Sequence, residues 1–319
     1  MATRIVARPS DWRQYLTRGA RSAFAGGMVI GILTACGFSL TSNLAGQDNT
    51  AASAPTKVGP SRGTLIGTGG GSGPEMMSQF IRAAGGPDSL IILIPTSSSF
   101  GGDSEGLLVG RRVVGGAVQE LTQEGLAAPL KSAGAKNVEL IHTRDRNVAN
   151  SESFVALLKK AAGVWTTGGN PDLFMDAYGG TKTEQELWNL LERGGVIGGP
   201  SAGAIILGSE GPPAPAMRNY LGFVRGMVFW PHMTTMNRLP SFEAYAEQHP
   251  DSINLAADEA AGWLIRGDIA TVIGAGAAFV YGNDPGNSGT HYIDLHSGDQ
   301  YNLATRMVTR KGADGGRRR

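Results

Sequence analysis

The chain has 319 residues, 41% of them hydrophobic, with a formal net charge of +1; it holds enough apolar material for one large core or two small ones. So balanced a charge leaves no electrostatic footprint for nucleic acid. A single cysteine, Cys36, excludes an intrachain disulfide and a thiolate metal cluster.

At the N-terminus, Arg4, Arg8, Arg13, Arg18 and Arg21 stand against one acid, Asp11, and an uncharged run follows from Ser22 to Ala35. This basic-then-apolar layout is that of an export signal. Its end, Leu33-Thr34-Ala35-Cys36, resembles the lipobox of bacterial lipoproteins, in which small residues admit the signal peptidase and the cysteine sulfur takes the lipid. The expectation is a signal peptide over 1–35, a lipid on Cys36 and an exported chain held at the cell envelope. Two readings compete: an uncleaved anchor reaching Leu40, close to the ~18 apolar residues that span a bilayer, and a buried core cysteine. Labelled palmitate should enter the wild-type protein and not Cys36→Ala; an unlabelled wild type removes the anchor. Residues 36–62, rich in Ser, Thr, Ala, Asn, Gly and Pro, bury too little to fold alone and are expected to form a flexible tether.

The domain over 63–309 begins with a buried-strand candidate at Thr64–Gly67, a glycine-rich turn from Thr68 to Gly73, and helical spacing over Glu75–Ala84. No lysine stands in P-loop position, so the phosphate reading of this turn is weak. A strand at Leu90–Ile94, a long helix over Val113–Ser132, a strand at Asn137–His142 and a Ser151-capped helix to Ala162 follow. Next come a strand at Gly163–Thr167, the turn Gly168-Gly169-Asn170-Pro171, and helices near Leu173–Tyr178 and Thr183–Arg193. Apolar runs alternating with helices predict an α/β fold of three layers around a mainly parallel sheet. Ligands collect beyond the carboxyl ends of such strands.

The fifth strand leads into Gly199-Pro200-Ser201-Ala202-Gly203, a G-x-S-x-G pattern. A strand turning sharply into a helix needs small neighbours, exposes the serine hydroxyl, and points the N–H of Ala202 and the helix start at a developing oxyanion. The pattern also fits a plain glycine-rich turn, in a chain with 48 glycines. Beyond it lie a proline-rich surface loop over 211–216, a strand over Phe223–Trp230, and a helix over Leu239–His249. Short strands are expected at Ile253–Ala257, Gly262–Ile265, Thr271–Ile273, Ala277–Tyr281 and His291–Leu295. The basic residues of 310–319 are expected to form a solvated, disordered tail.

A serine nucleophile needs a base, usually a histidine held by a carboxylate. His142 and His249 read as surface residues, whereas His232 emerges at a strand end. One order is Ser201, His232, then Glu259 or Asp258. The other is Ser201, Asp258 or Glu259, then His291 or His296, the order of the α/β-hydrolases.

From about Gly63 to Tyr281 the sequence resembles the cyanophycinase and aspartyl dipeptidase family of serine peptidases. The residues that carry this are Ile94-Pro95-Thr96-Ser97-Ser98, Thr167-Gly168-Gly169-Asn170, Gly194 through Ala204, Leu221-Gly222-Phe223 leading to His232 and Arg238, Ala257-Asp258-Glu259, and Val272 through Ala277. The resemblance implies a class I glutamine amidotransferase-like fold. It also implies Ser201 as nucleophile, His232 as base and acid, Glu259 as the orienting carboxylate, and an oxyanion hole from the N–H groups of Gly169 and Ala202.

The family pattern has Asp-Gln where Trp230-Pro231 stands, Arg-x-Arg at Met236-Asn237-Arg238, and Gly-Gly-Asp-Gln at Gly168-Gly169-Asn170-Pro171. Specificity is therefore expected to differ from that for cyanophycin. Asn170, Arg238 and Trp230 are the substrate-binding candidates; Arg238 reads as a carboxylate partner or a salt-bridged structural residue, Trp230 as a subsite wall or core. Trp165 and Trp263 read as core. The expected partner is a peptide, with no cofactor and no metal, since candidate ligands are scattered. The competing functions are an α/β-hydrolase-type esterase and a catalytically silent peptide-binding lipoprotein.

Overall fold

The apolar runs become strands whose two faces are both buried, because each alternates residues that face different helical layers. The computed structural model describes residues 57–98, 110–114, 117–212, 219–282 and 291–310. The expected signal peptide over 1–35, Cys36, the expected tether as far as 56, most of the proline-rich segment and the expected tail from 311 lie outside the described residues.

In chain order the first half comprises β1 (Thr64–Thr68), α1 (Pro74–Ala83), β2 (Ile91–Ile94), β3 (Gly110–Val114), β4 (Ala117–Leu121), α2 (Gln123–Ser132), β5 (Val138–Leu140), α3 (Arg146–Ala149) and α4 (Glu152–Val155). It continues through β6 (Gly163–Thr166), α5 (Pro171–Tyr178), α6 (Lys182–Glu192), β7 (Val196–Pro200) and α7 (Ala202–Ile205). The second half comprises β8 (Met227–Pro231), α8 (Leu239–Gln248), β9 (Ile253–Ala257), β10 (Ala261–Arg266), β11 (Ile269–Gly274), β12 (Ala278–Tyr281), β13 (Tyr292–Leu295), β14 (Gln300–Asn302) and β15 (Met307–Arg310).

Nine strands form the main sheet in the order β15-β14-β11-β10-β1-β7-β6-β2-β5. From β1 to β5 the pairing is parallel. From β1 to β15 it is antiparallel. The sheet is therefore mixed, and the mainly parallel expectation describes only the half built from strands alternating with helices. Beyond β9 the chain makes short consecutive strands with tight turns, which pair antiparallel. A four-stranded sheet, β13-β12-β9-β8, stands beside it, with β8 and β9 parallel.

On one face of the main sheet, Leu65, Ile92, Ile94, Val164 and Ile197 pack with Phe174, Tyr178 and Leu187. On the other, Ile66, Ile91, Leu93, Trp165 and Val196 pack with Met76, Phe80 and Leu130. The period of 2 along each strand thus feeds two layers of helix. Each fully buried aliphatic or aromatic side chain contributes roughly 1.5–3 kcal/mol. Trp165 and Trp263 are core residues, as expected.

The structure departs from the sequence reading in two helices and a linker. The long helix over Val113–Ser132 is absent: β3 and β4 pair antiparallel, and only α2 is helical. Gly115-Gly116 between Val-rich flanks is a hairpin signal, and β-branched valines favour strands. The helix from Ser151 keeps its cap, with Ser151 Oγ accepting from the Phe154 N–H. It breaks after α4 into a 3-10 turn at Leu158–Lys160. Residues 57–62, assigned by composition to the tether, are held to the domain: the N–H groups of Val58 and Gly59 each donate to Asp268 Oδ1 at 2.9 Å.

Candidate active site

The G-x-S-x-G pattern is explained by what surrounds it. A Cβ on Gly199 would lie 2.2 Å from Thr166 Oγ1, and one on Gly203 would lie 2.4 Å from the same oxygen. Both glycines are required because β6 crosses the elbow at contact distance. Between them Ser201 has φ 52° and ψ −113°, a strained conformation for a residue with a side chain, at roughly 1–3 kcal/mol. Its carbonyl accepts from the N–H groups of Ala204 and Ile205, and its own N–H continues the ladder to the Thr68 carbonyl at 2.9 Å. The helix that follows is a single turn, so the helix-dipole contribution expected at this point is small and the individual N–H groups matter more.

The strand ends converge here. The Gly168-Gly169 turn leaves β6, and a Cβ on Gly168 would stand 3.4 Å from Ser201 Cβ. Gly169 has φ 132° and packs on the Ser97 carbonyl. That carbonyl accepts from the Asn170 N–H at 2.7 Å. Ser98 ties in the same turn through Thr167 Oγ1 at 2.9 Å. Neither the Gly169 nor the Ala202 N–H has a backbone acceptor among the described residues.

His232 follows β8 directly, at φ 56°. Its Nδ1 lies 2.6 Å from Glu259 Oε1, and Nε2 is left for another partner. Glu259 sits just before β10, so the pair spans the junction between the two sheets. It also adjoins the elbow: a Cβ on Gly70 would press on Glu259 Cγ at 2.8 Å, and Gly70 is two residues beyond Thr68, whose carbonyl holds Ser201. Among the described residues the Ser201 hydroxyl makes no hydrogen bond, so it has no direct link to the imidazole. Burial raises the Glu259 pKa, but hydrogen bonds from His232 and Thr235 outweigh it and hold the carboxyl below its ordinary value.

Several expectations are corrected at the side-chain level. Asp258 is not the histidine's partner; it accepts from the Thr234 N–H at 2.7 Å and the Thr234 hydroxyl at 3.0 Å. Trp230 is 2% exposed, donates to Asn254 Oδ1 at 2.9 Å, and packs edge-on against Phe242 and Tyr245. It is core and not a subsite wall, because its position in β8 points it under α8.

His142 is 6% exposed, not a surface residue, with Nδ1 2.8 Å from Thr96 Oγ1. His249 is half-buried and stacks on Tyr245. His291 and His296 flank β13, at the opposite edge of the small sheet from β8. His291 donates its N–H to Glu243, and His296 faces Asp294. Neither bonds to Asp258 or Glu259, which the α/β-hydrolase order requires.

Asn170 caps α5, its Oδ1 accepting from the Asp172 N–H. Arg238 has no acidic partner among the described residues, so its salt-bridge reading lapses; its Nη2 contacts Met236 Sδ, and burial lowers its pKa. Among the described residues no His, Cys, Asp and Glu side chains cluster as a metal-binding group. The Thr234-Thr235 pair escaped the sequence reading; its only signal there is two hydroxyls shortly after a strand-end histidine.

A strained serine at a glycine-framed strand-to-helix bend, with a histidine–carboxylate pair on later strand ends, is the residue set of a serine hydrolase on an α/β scaffold. The family-wide pattern of peptidase family S51 matches residues 113–273, which include Ser201, His232 and Glu259. Cyanophycinase from Geminocystis herdmanii (strain PCC 6308) is 25% identical over 263 residues, covering 73% of this chain and 89% of the relative. Cyanophycinase from Synechococcus elongatus is 25% identical over 284 residues, covering 78% and 82%. The crystal structure of a peptidase from an acI-B1 Actinobacterium shares the fold, with TM-score 0.57 and 18% identity over 76% of this chain and 97% of that one. The chain belongs to peptidase family S51 and is a serine-type peptidase.

Proposed function

We infer that the protein is an exopeptidase or dipeptidase acting through an acyl-enzyme on Ser201, with specificity that differs from its cyanophycinase relatives. The observation that carries this is the 2.6 Å contact between His232 Nδ1 and Glu259 Oε1. A carboxylate on Nδ1 keeps the proton there and leaves Nε2 basic. Nε2 takes the Ser201 proton as Oγ bonds to the scissile carbonyl carbon, then returns it to the departing amine. Water repeats the sequence in reverse and frees the acid. Gly169 and Ala202 supply N–H groups for the oxyanion. The missing Ser201–His232 hydrogen bond is one that such sites form as substrate enters.

Substrate choice follows from which polar groups are left over. Trp230 and Pro231 fill the place of the family's Asp-Gln with buried apolar surface. Arg238 is a cation without an acidic partner among the described residues, on the turn that carries His232. It suits the free carboxylate of a short peptide, reached as a charge-assisted pair. Export and lipid attachment at Cys36 would place this peptidase at the bacterial cell envelope, supported by the N-terminal sequence pattern.

The test is a set of dipeptides and β-aspartyl peptides, each as free acid and as amide. With Arg238→Gln, KM for the free acids should rise roughly ten- to a hundredfold, the worth of a hydrogen bond to a charged group, while the amides are unaffected. Equal effects on acids and amides would remove Arg238 from substrate recognition.

A further inference from the structure

Two adjacent threonines face two adjacent acids beside the histidine, and only one of the four side chains belongs to the triad inferred above. Thr235 Oγ1 lies 2.8 Å from Glu259 Oε1 and 3.0 Å from Oε2. Thr234 engages Asp258 through both its N–H and its hydroxyl. The two segments, 232–238 and 258–259, come from neighbouring parallel strands, β8 and β9, and interlock just past their ends.

The Glu259 side chain is 42% exposed. A carboxylate on a flexible side chain in such a place has many rotamers to lose. A single hydrogen bond to an imidazole leaves a carboxylate free to turn about that contact. In this structure the carboxylate is confined on two sides. Gly70, lacking a Cβ, lets Glu259 Cγ and Cδ lie against the loop after β1. Thr235 closes the other side, its single hydroxyl proton shared between both oxygens.

The turn beneath Thr235 is itself rigid. The Met236 N–H donates to the His232 carbonyl at 3.0 Å, Asn237 to Thr234 at 3.0 Å, and Arg238 to Met233 at 2.8 Å. On the other segment, the Asp258 N–H donates to the Ala277 carbonyl at 2.9 Å. The Thr234–Asp258 pair sets the register of the two turns, so among the described residues the Thr235 hydroxyl bonds to Glu259 alone.

We propose that Thr235 is a positioning residue for catalysis: its hydroxyl fixes the Glu259 carboxylate in the orientation that holds His232. This rests on the triad reading above. The hydroxyl touches neither substrate nor nucleophile and acts only through Glu259.

The test compares Thr235→Val, which keeps the shape and loses the hydroxyl, with Thr235→Ser, which keeps the hydroxyl, in the full chain. On a cleaved peptide, Thr235→Val should lower kcat roughly tenfold, the low end for losing a hydrogen bond to a charged group, with KM unchanged; Thr235→Ser should restore most of it. A second readout needs no substrate. Proton NMR should show the His232 Nδ1–H as a downfield resonance in the wild type and Thr235→Ser. It should be broadened or lost in Thr235→Val and absent in Glu259→Gln, with thermal midpoints of both threonine variants close to wild type.

A wild-type kcat and an unchanged resonance in Thr235→Val would overturn the proposal. So would a loss that Thr235→Ser does not recover, or one shared between kcat, KM and the melting temperature. The triad reading fails separately: if Ser201→Ala retains turnover, the chemistry is misassigned, while the NMR comparison still decides whether Thr235 orients the His232–Glu259 pair.

Discussion

Ser201→Ala is expected to lower turnover of a cleaved peptide by roughly 10⁴- to 10⁶-fold, the usual result of removing a serine nucleophile, with little change in thermal midpoint. The stability side of this expectation comes from the backbone. Ser201 has positive φ, and alanine meets the same strain as serine there, while among the described residues the serine hydroxyl makes no hydrogen bond whose loss could destabilise the fold. A loss of rate without a loss of fold is therefore the specific signature.

His232→Ala should produce a similar loss, because without a base the hydroxyl is a weak nucleophile. His291→Ala and His296→Ala should be close to wild type, since those side chains sit across the small sheet. Near-normal turnover in Ser201→Ala or His232→Ala would remove the triad. An essential His291 or His296 would restore the esterase reading.

The second large effect concerns the elbow's frame. A Cβ at Gly199 would stand 2.2 Å from Thr166 Oγ1, 2.8 Å from the Thr166 carbonyl oxygen and 3.1 Å from Gly203 Cα. Two of those three atoms are backbone, one in β6 and one in α7, so they cannot move aside independently. Gly199→Ala should destabilise the protein by up to about 3 kcal/mol, the upper range for forcing atoms into a packed core. For a domain of this size that is a fall in melting temperature of roughly 6–12 °C.

Activity should fall further than stability, because a displacement of about 1 Å at the reacting atoms can reduce rate roughly a hundredfold. Thr166→Ala removes the closest of the clashing atoms. The double variant should therefore melt higher than Gly199→Ala alone, a positive coupling measurable in a double-mutant cycle. Strict additivity of the two changes would mean that Thr166 is not what requires glycine at this position.

Much of the fold could be read along the chain. Thr64–Gly67, Leu90–Ile94, Gly163–Thr167 and the run into Ser201 are strands in the structure within a residue or so. Each is a short apolar run bounded by glycine or proline and followed by helical spacing. Val113–Ser132 misled because its apolar residues fit a helical period as well as a strand pair, and the glycine pair inside it carried the better information. The mixed character of the main sheet was hidden for a different reason. Strand direction depends on which edge a later segment finds, and β10 pairs with β1 across almost two hundred residues of chain.

At the site, the amino-acid sequence by itself determined what depends on neighbours in the chain: the tight glycine-flanked bend at Ser201, the Asn170 cap on the turn after β6, and a histidine released at the end of β8. Tertiary structure alone decided which acid faces that histidine, since Asp258 and Glu259 are adjacent and only the packing of one strand end on another sends Glu259 to Nδ1 and Asp258 to Thr234. It also buried His142 and Trp230, and left Arg238 without an acidic partner among the described residues. The physical reason is range: backbone strain and capping are settled within a few residues, whereas a side chain's hydrogen-bond partner is set by segments that meet only after the sheets have formed.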